Sequence, residues 1–219
     1  MVRKTREEAL ETRSKILKTS LIMFYEKGFH ATTLNDVAQS MGTTRGAIYW
    51  HFRSKGDILR ALWNERSSHI ERTVSEFSSI MDSKKPCSID EYRYFLEQIL
   101  NCLVYSFNEN TESRLFFHII HIMLISGNDN DVLYVREQTK RVDELLFITI
   151  SNIVKLIKKR DGFSDDAEIK EKITYLHFFL DGYFMNCNNL IGFSHTLYEE
   201  VSPSNVVNFI MKILFYDNL

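Results

Sequence analysis

Proline and glycine are scarce in this chain of 219 residues, which holds two prolines (Pro86 and Pro203) and eight glycines. So few breakers leave little material for the turns of a β-sheet protein and favour long helices. The three cysteines, Cys87, Cys102 and Cys187, are odd in number and form no Cys-x-x-Cys pair. That argues against a disulfide framework and a zinc knuckle and fits a reducing cytoplasm. A long apolar run is also missing. The longest, Leu115–Ile125, is broken by His118 and His121 and is too short to cross a bilayer. The opening residues carry charge where a secretory signal would carry a greasy core. A soluble cytoplasmic protein without a membrane partner is expected. There is no Gly-rich phosphate loop, no Gly-x-Ser-x-Gly elbow and no cysteine with an evident base partner. No cofactor is implied, and catalysis is not expected.

Net charge is also low, at −2, but it is unevenly spread. Residues 1–60 carry eleven Lys/Arg against six Asp/Glu, a balance of +5, while the remainder carries sixteen against twenty-three, a balance of −7. A basic head on an acidic body suggests that the head, and not the body, meets a polyanion.

The hydrophobic pattern has helical period throughout, and no stretch alternates at period two for long enough to need a sheet. Thr5 to Glu8 reads as a capping box before a helix whose apolar face is Ala9, Leu10, Ile16, Leu17, Leu21 and Phe24, stopped by Gly28. Thr33-x-x-Asp36 opens a short second helix closed by Gly42. A third begins near Thr44 and needs Ala47, Ile48 and Phe52 inside. Ser54 to Asp57 caps a longer fourth helix with the stripe Ile58, Leu59, Leu62, Trp63, Ile70, Val74, Phe77 and Ile80. Asp82–Cys87 reads as a linker. Helical patterns follow at roughly 88–108, 111–126, 129–160, 165–192 and 203–216, the first capped by Ser88 and Glu91 and the last by Ser202 before Pro203. The expected fold is all-α with nine helices, divided into a head, 1–55, and a body, 56–219.

The most informative segment is Thr33 to Lys55. Two short helices meeting at a tight glycine-containing turn form the helix-turn-helix arrangement, whose second helix presents its outer face to the DNA major groove. With Ala47, Ile48 and Phe52 inside, Thr44, Arg45, Gly46, Tyr49, Trp50 and His51 face out. Arg45 can bond guanine O6 and N7 together. Gly46 lets the helix approach base edges closely, at a cost of about 1 kcal/mol in a helix interior. Thr44, Tyr49 and His51 can donate to phosphates. Lys55, at the start of the next helix, is placed to add its charge to the helix amides around a phosphate.

Thr33-Leu-Asn-Asp-Val-Ala and then Met41-Gly-Thr-Thr-Arg-Gly-Ala-Ile-Tyr-Trp-His-Phe-Arg-Ser-Lys-Gly-Asp-Ile-Leu59 resemble the TetR family of transcriptional regulators. The opening, Arg3 to Arg13, and the Arg-Gly-Ala-Ile-Tyr-Trp-His-Phe core are similar to its AcrR-type branch, repressors of multidrug efflux pumps. The match covers about residues 1–63; beyond it only helix count and length correspond. The resemblance implies a homodimer, a palindromic double-stranded operator and release by a small molecule. It carries DNA-contact roles onto Thr33, Thr44, Arg45, Gly46, Tyr49, Trp50, His51 and Lys55. Arg53, Ser54 and Gly56 lie where the family varies and receive no role. For Arg3, Lys4 and Arg6 a groove-tracking arm and a solvated tail are both open.

The body holds 22 of the 28 aromatic residues, and a helical bundle rich in Phe and Tyr can leave an apolar cavity. An inducer site for a small hydrophobic or cationic compound is expected from Trp63, Ile70, Leu96, Ile99, Leu103, Phe116, Ile120, Phe179 and Tyr183; ordinary core packing is the plainer reading of each. The last two helices are expected to expose apolar surface on more than one side, through Leu176, Leu180, Phe184, Cys187, Val206, Phe209, Ile210, Ile213 and Leu214, and so to build the dimer interface that the resemblance implies. His118 and His121 share a helix face, but a bundle metal site needs Glu-x-x-His pairs and the sequence has none; no metal is expected. Two other readings stay open: an activator or global regulator unrelated to efflux, and a small-molecule-binding or catalytic helical protein that keeps the head as a scaffold.

Overall fold

In the computed structural model, which describes residues 6–82, 88–108, 111–160, 166–187 and 202–215, every regular element is a helix. In chain order they are α1 (Arg6–Lys27), α2 (Leu34–Ser40), α3 (Arg45–His51), α4 (Lys55–Asp82), α5 (Ile89–Asn108), α6 (Thr111–Ser126), α7 (Asn130–Arg160), α8 (Asp166–Cys187) and α9 (Pro203–Phe215). The expected all-α, nine-helix architecture is what the described residues show. The punctuation has the expected physical basis. Gly28 and Gly42 sit at φ +86° and +61°, the left-handed backbone that ends a helix without the penalty a Cβ would bring. Ser88 accepts the Glu91 N–H while Glu91 accepts that of Ser88, and Ser202 accepts the Asn205 N–H. The Thr5 cap and the linker residues 83–87 lie outside the described residues.

The chain forms two compact units. The first joins Met1–Ser67 with Leu115–Arg136, and the second joins Ser68–Arg114 with Glu137–Leu219. Neither is a single sequence block. In the first unit, Ile16, Leu17, Leu21 and Phe24 of α1 are buried with Val37, Ile48, Phe52, Ile58, Leu59 and Leu62. Leu10, expected on the same inner stripe, is 59% exposed, because the buried face of α1 starts only at Ile16.

The second unit has one contiguous core drawn from α4, α5, α7, α8 and α9. Here the expectation for the last two helices needs correction. Leu176, Leu180, Val206, Ile210 and Leu214 are at most 3% exposed within the single chain, since α9 packs on α5 and α8. Five of the nine residues expected at a dimer surface are therefore intramolecular core. Phe184 and Ile213 are half-buried, and the Cys187 side chain lies outside those described. The apolar groups these helices do expose are Tyr175, Phe178 and Phe209.

Candidate nucleic-acid interface

The site is assembled from three local devices. Thr33, extended at φ −114°, caps α2: its hydroxyl oxygen accepts the Asp36 N–H at 3.2 Å, and Asp36 Oδ2 accepts the Thr33 N–H at 2.8 Å and its hydroxyl at 2.6 Å. Those two donations from Thr33 hold the Asp36 carboxyl below its ordinary range. After α2 the chain reverses tightly, with Gly42 N–H donating to Gln39 O and Thr43 N–H to Ala38 O at 3.0 and 2.9 Å. Thr44 then caps α3 by accepting the Ala47 N–H at 3.2 Å. Ile48 pins α3 inward at 0% exposure, and Phe52 does so at its end under the Arg13 guanidinium, 5.0 Å from the ring centroid.

This geometry turns a coherent set outward. Thr33, Thr44, Arg45 and Gly46 are exposed, as are Tyr49 and, at 72%, Trp50. His51 is half-buried, its ring edge-to-face with Trp50 at 4.5 Å. The Arg45 guanidinium donates to the Tyr49 hydroxyl at 2.8 Å and lies 5.0 Å from that ring's centroid. A Cβ on Gly46 would meet nothing nearer than 3.9 Å, so no packing within the chain demands glycine there. α3 has no acidic residue in its first turn. The face is exposed, carries Arg45 and is rich in donors, which suits a polyanion.

Lys55 is the exception. Its Nζ donates to the carbonyls of Phe29 and His30, both at 2.8 Å, and of Thr32 at 3.3 Å, and it sits 4.7 Å from the Phe29 ring centroid. An ammonium has three N–H donors, and all three are committed to the α1–α2 loop. Burial depresses its pKa, with Asp131 and Asp129 opposing. The expected phosphate ligand is, in this structure, a strut between the loop and α4.

The residues expected to line an inducer site fall in both units. In the first, Trp63, Phe116 and Ile120 are buried, and the Trp63 and Phe116 rings meet edge-on at 5.8 Å. The Trp63 indole N–H is buried without a hydrogen-bond acceptor among the described residues, which costs about 1–3 kcal/mol. In the second, Leu96, Ile99 and Leu103 are core, and Phe179 stacks on Tyr183 at its edge. The Ile70 side chain lies outside those described. Thr73, Val74, Ile99, Cys102, Leu103 and Leu146 pack closely enough to leave no room for a water molecule between them, far short of the roughly 300–1,000 Å³ of a drug-sized site. His118 packs edge-on against Tyr25 at 4.8 Å.

Two short helices across a tight turn, the second with an exposed donor-rich face, define a helix-turn-helix protein with an all-helical second unit. Residues 16–62 match the profile of bacterial regulatory proteins of the tetR family. The HTH-type transcriptional regulator AcrR of Shigella flexneri is 42% identical over 79 residues, 36% of this chain and 37% of that protein. The HTH-type transcriptional regulator TtgR of Pseudomonas putida is 37% identical over 121 residues, 54% of this chain and 55% of that one. Thus the aligned segment spans between about a third and just over half of these relatives. The crystal structure of NalD, the secondary repressor of the MexAB-OprM multidrug efflux pump in Pseudomonas aeruginosa, superposes with a TM-score of 0.66 at 20% identity, covering 96% of each chain. The likeness to the tetR family of bacterial regulatory proteins is thus carried by residues 16–62 and the segment around them.

Proposed function

We propose that the protein is a homodimeric transcriptional repressor that binds a palindromic operator through α3 and controls a multidrug efflux or transport operon. The observation that carries this reading is the outward face of α3, where Arg45, Gly46, Tyr49 and Trp50 stand exposed around a single buried anchor, Ile48. Arg45 reads a guanine, Thr33, Thr44 and His51 position the helix on the phosphates, and Gly46 lets it sit close to the base edges. A two-fold pair of such heads requires half-sites about 34–36 Å apart, or a multiple of one turn. Residues 1–55 supply recognition, and 56–219 supply dimerisation and ligand response. Relatives that are regulators, NalD's role at an efflux pump and the AcrR-like motifs support this reading. So does the lack of any helix long and apolar enough to cross a membrane among the described residues. A cytoplasmic protein without catalytic activity fits it.

Relief of repression follows from a small hydrophobic or cationic compound that binds better to a form whose recognition helices no longer match consecutive major grooves. Trp63, with its buried and unmatched indole N–H, is placed to donate to such a compound's acceptor, and α4, which carries Trp63 and starts next to α3, is the lever. The test is a gel shift with the DNA flanking the gene itself. Retardation of that DNA but not of an unrelated duplex, reversed by members of a panel of lipophilic cations with a change in tryptophan fluorescence, is the expected result. Equal affinity for both duplexes would refute operator recognition.

A further inference from the structure

Within the first unit, the turn between α6 and α7 grips the helix-turn-helix from both ends. Asp129 caps α7, its Oδ1 accepting the N–H groups of Asp131 and Val132 at 2.9 and 3.0 Å. Its other oxygen is 3.3 Å from His30 Nδ1, in the loop that leads into α2. Two residues on, Asp131 Oδ1 is 3.4 Å from the Arg60 guanidinium on α4, the helix that leads out of α3. Arg60 also lies 3.7 Å from Asp57 and 5.1 Å from the Tyr134 ring centroid. The approach is close: a Cβ on Gly56 would collide with Asp131 Oδ1 and fall 2.8 Å from Arg60, so the ends of both side chains would have to shift. Lys55 joins the two gripped segments by its bond to the His30 carbonyl.

We propose that Asp131 and Asp129, with Gly56 as the space that admits them, are positioning residues for operator recognition: they hold the segments on either side of the helix pair so that α3 is presented at one fixed angle. This rests on the repressor reading. Neither aspartate lies near the recognition helix in sequence or on its outward face, so neither touches DNA in this account. The consequence is that losing the grip weakens recognition of the operator and leaves contact with DNA of any sequence as it was.

Three variants of the full chain test it: Asp131→Asn, Gly56→Ala, and Asp131→Asn combined with Arg60→Ala. Gly56→Ala is the sharpest, because its added Cβ displaces the ends of Asp131 and Arg60 directly while alanine itself suits a helix. Amide hydrogen exchange over residues 28–36 and 43–55 is read without DNA, at a temperature where circular dichroism shows every variant fully folded. Binding is read on the gene's flanking DNA and on an unrelated duplex of equal length. Expected are faster exchange in both segments and affinity for the flanking DNA reduced about three- to fivefold. Affinity for the unrelated duplex stays unchanged, and the double variant is no worse than Asp131→Asn. Unchanged exchange, unchanged flanking-DNA binding by Gly56→Ala, or equal losses on both duplexes would each overturn the proposal. If the parent chain ignores its flanking DNA while exchange still responds, the repressor reading fails and the grip itself stands.

Discussion

Arg45 and Lys55 are both basic residues of the motif, and their surroundings point to opposite duties. Arg45 is exposed and bonded to Tyr49, whereas Lys55 spends its donors on three carbonyls of its own chain. The two duties separate by substitution. Lys55→Met keeps the apolar stem but orphans those carbonyls, and should lower stability by about 1–3 kcal/mol in urea unfolding while leaving the salt dependence of DNA binding unaltered. A phosphate ligand would instead lower the slope of log affinity against log salt by about one. Sequence alone could not choose between these duties. A lysine at a helix start has the same local appearance whether its ammonium meets a phosphate or a carbonyl brought in from residues 29–32. The outward set on α3 was legible because placing Ala47, Ile48 and Phe52 inward turns most of the other positions of so short a helix away from the core.

The short α2 owes its existence to the Thr33–Asp36 reciprocal cap, so Thr33→Ala should cost about 1 kcal/mol. The Asp36 carboxyl is held below its ordinary range by Thr33, so its contribution to stability is present above the ordinary carboxylate pKa and is lost as pH falls through the depressed value. Acid unfolding of Thr33→Ala should be missing that component. On α7 the sign reverses. Burial pushes the Asp143 carboxyl up to about 6, with His177 pulling it down and Asp181 pushing it further up. The folded state therefore holds this proton better than the unfolded state does, and stability falls as pH rises from about 4 through about 6. Asp143→Asn should remove that decline and leave the protein more stable than the parent at pH 7, measured as thermal midpoints across the range. Caps such as Thr33, Ser88 and Ser202 could be read directly because each acts over three residues. The surroundings of α9 could not: its apolar stripe states that Val206, Ile210 and Leu214 are covered, and only coordinates show the cover to be α5 and α8 of the same chain and not a second copy.

For the whole molecule, the helices and their order were legible from periodicity and breakers, while the grouping of chain segments was not. Leu115–Arg136 joins the first unit through pairs such as Arg60 and Asp131, 71 residues apart, and no local pattern announces a contact of that span. The same holds for Trp63, Leu96, Ile99, Leu103, Phe116 and Ile120, which periodicity turns inward without saying toward which unit. With five expected interface residues committed to the chain's own core, the proposed dimer, if built on α8 and α9, uses what those helices still expose. Phe178→Glu, at a position 67% exposed, should therefore shift a micromolar dimer toward monomer in analytical ultracentrifugation; an unmoved dimer would place the interface elsewhere. The claim on which the rest depends is that α3 reads base sequence, and selection from a randomised duplex library tests it most directly. The parent chain should enrich a two-fold site, and Arg45→Ala should lose about 1–3 kcal/mol of discrimination at one guanine in each half and retain the other positions. An unenriched library, or a profile that Arg45→Ala leaves intact, would contradict it.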